Sequence, residues 1–175
     1  MINKTNRQTM KRVGLTIAAL TLLLPSMSRS QSSSTDGLEG FVLWSSARVE
    51  ASADRLEKEL GDKALVWETI GNYEGHSIYL VLRGITSQAE VHETESDVQI
   101  SMRGKATSVV GGKLVNPESL PRKQQRGTSI NGGQKQQLSS GDILHIPPGL
   151  PHQLLIDPED PYMYILIKID EEPLQ

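Results

Sequence analysis

From Ala64 onward the chain alternates apolar and polar residues at period two, in short runs cut repeatedly by glycine and proline. That pattern admits little besides antiparallel β-structure, because successive side chains of a strand point to opposite faces. Strands are expected at 65–70, 77–83, 90–92, 98–103, 106–110, 142–146, 152–156 and 162–169. Residues 71–75, Gly104, Gly111-Gly112 and Pro147-Pro148-Gly149 are expected to be turns. A further hairpin is expected from 128–130 to 134–138 through Asn131-Gly132-Gly133. Residues 113–127 are polar and hold Pro117 and Pro121; they read as a loop, either a basic lid or a mobile surface segment. Many short strands with Gly/Pro turns predict an all-β fold, a sandwich or jelly-roll barrel, with one domain in 175 residues.

The start of the chain reads differently. Lys4, Arg7, Lys11 and Arg12 form a basic head, Val13 to Leu24 is apolar, and Pro25 with Ser26, Ser28 and Ser30 follows. This is the layout of a secretory signal peptide, with cleavage expected after Ser28 or Ser30. The apolar run is shorter than the roughly 20 residues a membrane helix needs. Its removal leaves 13 basic and 21 acidic residues, a formal charge of −8. An acidic surface with few aromatics disfavours nucleic acid and anionic membranes as partners. The mature protein is expected in the periplasm or secreted. With no cysteine, disulfides and thiolate metal sites are excluded.

Between leader and strands, Asp36 and Glu39 have the spacing of a capping box. Leu38, Phe41, Val42, Val49, Leu56 and Leu60 fall on one helical stripe. A helix is expected over about 38–60, ended by Gly61, with a break near Ser45-Ser46. The domain layout is thus 1–30 signal peptide, 31–63 leader and helix, 64–172 barrel.

Two glycine-bounded segments carry the candidate chemistry. In Gly84 to Gly104, Glu90 and His92 are two apart and share a strand face, and Asp97 can return to that face after a turn. In Gly141 to Ile156, Pro147-Pro148-Gly149 presents His152 at the start of a strand. Gln99, Ser101 and Arg103 alternate with Asp97 and predict a polar wall. Lys168 shares a face with Tyr164 and Leu166; it reads either as a strand-end lysine reaching water or as an anchor for an anionic ligand. His145 reads as a structural or supporting histidine, and His76 as a surface residue.

These two segments resemble the paired motifs of the cupin superfamily, small jelly-roll β-barrels that often hold one metal ion. The resemblance spans roughly 77–169. It implies a metal site of Glu90, His92, Asp97 and His152, with Glu90 where the family usually has a histidine and Asp97 where it usually has glutamate. Two imidazoles and two carboxylates suit a divalent transition ion, Mn or Fe ahead of Zn on charge. The implied function is isomerase, lyase or dioxygenase chemistry on a small oxygenated metabolite. The alternative is a metal-free barrel that binds a sugar or small acid without turnover. A homodimer, through the helix stripe or the strand at 65–70, is compatible with the sequence.

Overall fold

A computed structural model describes residue 38 and residues 40–171. The expected signal peptide, the leader and the Asp36/Glu39 pair lie outside the described residues.

The helix is shorter than the apolar stripe suggests: α1 runs Ser46–Leu60, and Ser45 caps it by accepting a hydrogen bond from the Arg48 amide at 3.3 Å. A serine cap competes with helical backbone, so the helix begins there rather than at residue 38. Leu38, Phe41, Val42 and Leu43 lie before it and are exposed. The rest of the stripe behaves as expected: Ala53, Leu56 and Leu60 pack on Val66, Leu80, Leu82 and Met163. Of the stripe, Leu56 and Leu60 are spent on packing within the chain, while Leu38, Phe41 and Val42 are not. Among the described residues, no helix is long and apolar enough to cross a membrane.

Among the described residues thirteen strands follow, in an antiparallel arrangement of two main sheets. One contains β1 (Leu65–Tyr73), β2 (His76–Arg83), β13 (Tyr162–Asp170), β4 (Glu95–Arg103) and β11 (Ile143–Ile146), in that order. The other contains β10 (Gln134–Leu138), β5 (Ala106–Val110), β12 (His152–Leu155), β3 (Ala89–His92), β8 (Gln124–Gly127) and β7 (Glu118–Leu120). A small ribbon pairs β6 (Lys113–Val115) with β9 (Ser129–Asn131). Between the sheets, Val81, Tyr162 and Tyr164 from one pack on Ala106, Leu138 and Leu154 from the other. This is the jelly roll with an N-terminal helix that the sequence implies.

Three local expectations are corrected. Residues 113–127 are not a loop: they hold β6, β7 and β8, and β8 is hydrogen-bonded to β3. Residues 71–73 continue β1 past a register shift between Thr69 and Gly71, so the turn is only Glu74-Gly75. The Asn131-Gly132-Gly133 hairpin does not form. Instead β5 pairs with β10 and β6 with β9, and both ribbons bend where Gly111-Gly112 faces Gly132-Gly133. A Cβ on Gly112 would lie 2.6 Å from the Asn131 carbonyl oxygen, so only glycine permits this approach.

Arg103 leaves the polar wall. The register between β13 and β4 shifts at Met163/Tyr164, and the extra residue reverses the alternation. Its guanidinium turns to the helix, 2.9 Å from both Asp54 and Glu57 and paired with Glu50. His145 is exposed on the edge strand β11, and His76 is exposed and stacked on Tyr73.

Candidate metal centre

Strand register brings the four candidate residues together. Glu90 and His92 point inward from β3, and His152 of β12 stands opposite Glu90. After His92 the chain crosses to the other sheet and starts β4, whose Asp97 faces them from across the barrel. The Pro147-Pro148-Gly149 turn is pinned to β3 by a hydrogen bond from the Gly149 amide to the His92 carbonyl, 2.7 Å. That bond ties the second motif to the first.

One donor atom from each of Glu90, His92, Asp97 and His152 lies within 4.8 Å of the others. His152 Nε2 is 3.4 Å from Glu90 Oε1 and 3.6 Å from Asp97 Oδ2. His92 Nε2 is 3.8 Å from both Glu90 Oε2 and Asp97 Oδ2. His92, Asp97 and His152 are buried, and Glu90 is partly open.

The His152 ring shows what the cluster lacks. Its Nδ1 lies 3.0 Å from the Leu150 carbonyl oxygen, which only accepts, so Nδ1 carries a proton. Its Nε2 is buried without a hydrogen-bond partner. A neutral ring would aim that lone pair at two carboxylate oxygens, so the position calls for a cation, either a proton or a metal ion. Burial disfavours the imidazolium, but Asp97 and Glu90 outweigh it and push the His152 pKa up to about 9. Burial would raise the Glu90 carboxyl, yet His152, Arg126 and His92 hold it below its ordinary value. Asp97 is also held low: burial is overcome by His152, Lys168 and His92. His92 is lowered by burial and by the Lys168 charge, against the pull of Asp97 and Glu90.

The donor set fits a divalent ion. Ligand atoms on such an ion stand ~3–4.5 Å apart for bonds of about 2.1 Å, close to the distances found here. Oxygen and imidazole donors without thiolate suit Mn or Fe, and also Zn.

Four further residues surround the cluster. Lys168, opposite Asp97 in register, donates to Asp97 Oδ1 at 2.7 Å and stands 3.1 Å from both His92 Nε2 and Glu95 Oε2. Burial opposes its charge, but Asp97, Glu95 and Glu90 raise its pKa. Lysine at a strand end thus reaches the interior rather than water. Glu95 is buried and lies 3.5 Å from His92 Nδ1. Arg122 stands 3.4 Å from Glu95, and Arg126, opposite Glu90, approaches Glu90 Oε2 to 3.0 Å. Period-two spacing from Asp97 signals Glu95, and the inner face of β13 signals Lys168. Nothing in the polar stretch around Arg126 marks it as a strand.

The polar wall is present in Gln99 and Ser101. Both are buried; Ser101 hydrogen-bonds the Tyr162 hydroxyl at 2.6 Å, and Gln99 Oε1 has no partner.

The chain is similar to several solved structures. They include KdgF from Halomonas sp., with a TM-score of 0.47 and 14% identity over 62% of this chain and 81% of that one. The polyketide cyclase RemF from Streptomyces resistomycificus gives 0.45 and 12%, over 65% and 69%. A cupin 2 conserved barrel domain protein from Salinispora arenicola gives 0.42 and 18%, over 61% and 76%. No family model matches the chain, and no curated protein matches it.

Proposed function

We propose that Glu90, His92, Asp97 and His152 hold one divalent metal ion, and that the chain is an exported cupin acting on a small oxygenated metabolite. The observation that carries this is the buried, partnerless Nε2 of His152, aimed between two carboxylates. A bound ion would supply Lewis acidity to a carbonyl or enolate oxygen, the basis of isomerase, lyase or dioxygenase chemistry. The chain's own part is to orient the donors. Leu150 sets the His152 tautomer, and Lys168 and Arg126 hold the Asp97 and Glu90 carboxylates from outside. A carboxylate not engaged by the ion is placed to act as a general base.

The reading is tested by elemental analysis of the purified mature protein, before and after chelation and reloading with Mn, Fe or Zn. A stoichiometric ion that the His92→Ala/His152→Ala double variant cannot retain is the expected result. Folded protein that takes up none of the three ions refutes it.

A second reading is favoured by the Lys168 ammonium, which already balances Asp97. On that reading the barrel binds a small molecule without turnover and without metal. Metal-free protein with a ligand-induced thermal shift, insensitive to Glu90→Ala, is its signature.

Residues 1–30 are proposed to direct export to the periplasm or beyond. Detection of a mature chain beginning near residue 29 or 31 in the periplasmic or culture fraction tests it.

A further inference from the structure

A cavity of about 360 Å³ opens beside the cluster, where β1 begins, β2 ends and β3 starts, with Arg83, Glu90 and Arg126 in its wall. We propose that this cavity binds the carboxylate of a small organic acid between the guanidinium groups of Arg83 and Arg126. The inference rests on the proposed function, whose substrate class it names.

Arg83 closes β2 on the face that looks into the barrel, in register with Tyr162 on one side and Leu65 on the other. It is half-buried, and its Nε donates to the Tyr164 hydroxyl at 3.0 Å. Among the described residues no carboxylate forms an ion pair with it. A guanidinium keeps its charge at every working pH; burial opposes that charge, Tyr164, Glu90 and Asp97 favour it, and neither carboxylate is in contact with its fork. Holding Nε on a buried tyrosine leaves the two terminal nitrogens as a fork, the geometry that matches a carboxylate.

Arg126 stands across the same cavity. Its Nη2 meets Glu90 Oε2 at 3.0 Å and Gln124 Oε1 at 3.1 Å, and its Nη1 donates to the Gln125 carbonyl at 3.3 Å, which leaves the second Nη1 hydrogen for a ligand. Two guanidiniums against one carboxylate leave the wall with one uncompensated positive charge, which a monoanion neutralises. The volume lies at the small end of ligand sites and suits a molecule of a few carbons. Glu90 belongs to both the cavity and the cluster, so an acid seated by its carboxylate has its other end beside the donor set.

A second cavity of about 360 Å³, beyond Lys168, is less suited to an anion. That cavity is lined by Glu74, Glu95 and Asp170 as well as Arg122 and Lys168. Mixed charge gives no preference for a negative ligand.

The test is calorimetric titration of the full mature chain, dialysed free of metal and chelator, with glycolate, glycolamide and inorganic phosphate. Saturable glycolate binding is expected, with glycolamide at least about tenfold weaker because it lacks the charge. Arg83→Gln and Arg126→Gln should each weaken glycolate about tenfold, and Arg83→Lys should recover part of the loss. Lys135→Gln, on the exposed edge strand β10, should leave it unchanged. The inference is overturned by glycolamide binding as tightly as glycolate, by phosphate binding tighter, by absence of saturable binding, or by a folded Arg83→Gln that binds as the parent does. Where Arg83→Gln does not fold, Arg83→Lys decides: glycolate affinity reduced by less than about tenfold with selectivity against glycolamide kept supports the seat, and parental affinity or lost selectivity overturns it. Mn²⁺ titration of the same samples separates the two readings. A parent that takes up no Mn²⁺, and neither Fe nor Zn on reloading, but still binds glycolate refutes the ion and keeps the carboxylate seat.

Discussion

The Lys168 ammonium lies 2.7 Å from Oδ1 of Asp97, a carboxylate whose other oxygen faces His152 Nε2 at 3.6 Å. One acid therefore serves a resident cation on one side and the candidate ion position on the other. Removing the lysine charge should strengthen metal binding and weaken the metal-free fold. Lys168→Gln is expected to bind Mn²⁺ about tenfold more tightly, since a like charge near the ion is gone. It should also lower metal-free stability by about 2 kcal/mol, because Asp97 and Glu95 lose their buried partner. Competition titration and urea denaturation with and without Mn²⁺ check both halves.

Protons and metal should compete at His152. Its pKa is pushed up to about 9 by Asp97 and Glu90 against the cost of burial. The imidazolium therefore stabilises the metal-free fold fully below its unfolded value near 6.5. That stability, on the order of 3 kcal/mol, is lost as pH rises from there through 9. Metal must displace the proton, so affinity should rise about tenfold per pH unit across the same window. The depressed Glu90 and Asp97 pKa values act at the other end. Their contribution is present above their ordinary range and fades as acid protonates them. Melting curves from pH 3 to 10, with and without Mn²⁺, test the signs.

The helix is expected to contribute stability and leave the site alone. Leu56 is wholly buried against the outer face of the first sheet. Leu56→Ala should cost about 3 kcal/mol by urea denaturation, the usual cost of such a cavity. Arg103→Gln, which breaks half-exposed contacts to Asp54 and Glu57, should cost only about 1 kcal/mol. Metal stoichiometry should be parental in both variants.

Gly104 ends the first motif with a φ of 70°, and a Cβ there would sit 2.1 Å from the Pro161 carbonyl oxygen. Gly104→Ala should be far worse than an ordinary surface change, about 3 kcal/mol or more. Gly141 also has positive φ but faces open space. Gly141→Ala should cost about 1 kcal/mol, from strain alone. The pair of thermal melts separates collision from backbone strain.

Period two made the shared face of Glu90 and His92 legible, whereas Asp97 and His152 joined them through the resemblance of the two segments to the cupin motifs. Residues 124–126 failed that test for a physical reason. Their strand lines a charged centre and not an apolar core, so Gln124 and Arg126 face inward and no hydrophobic alternation announces β8. Arg103 was misplaced because a one-residue register shift in β4 is invisible without its partner strand. Lys168 followed alternation correctly, but whether its long stem turns out to water or in to Asp97 depends on which acid stands opposite. The helix start was obscured by Leu38, Phe41 and Val42, apolar residues that the described structure leaves exposed.

β13 is the last of the described strands, yet it lies between β2 and β4 at the middle of its sheet. During synthesis β2 and β4 therefore emerge with bare edges and wait for residues 162–170 to join them. The same late strand brings Lys168 to Asp97, so the cluster receives its resident counter-charge only after β1 to β12 have been made. A ribosome that stalls before residue 162 would release a chain with two open strand edges and an uncompensated acid in its interior, a substrate for chaperones and proteases.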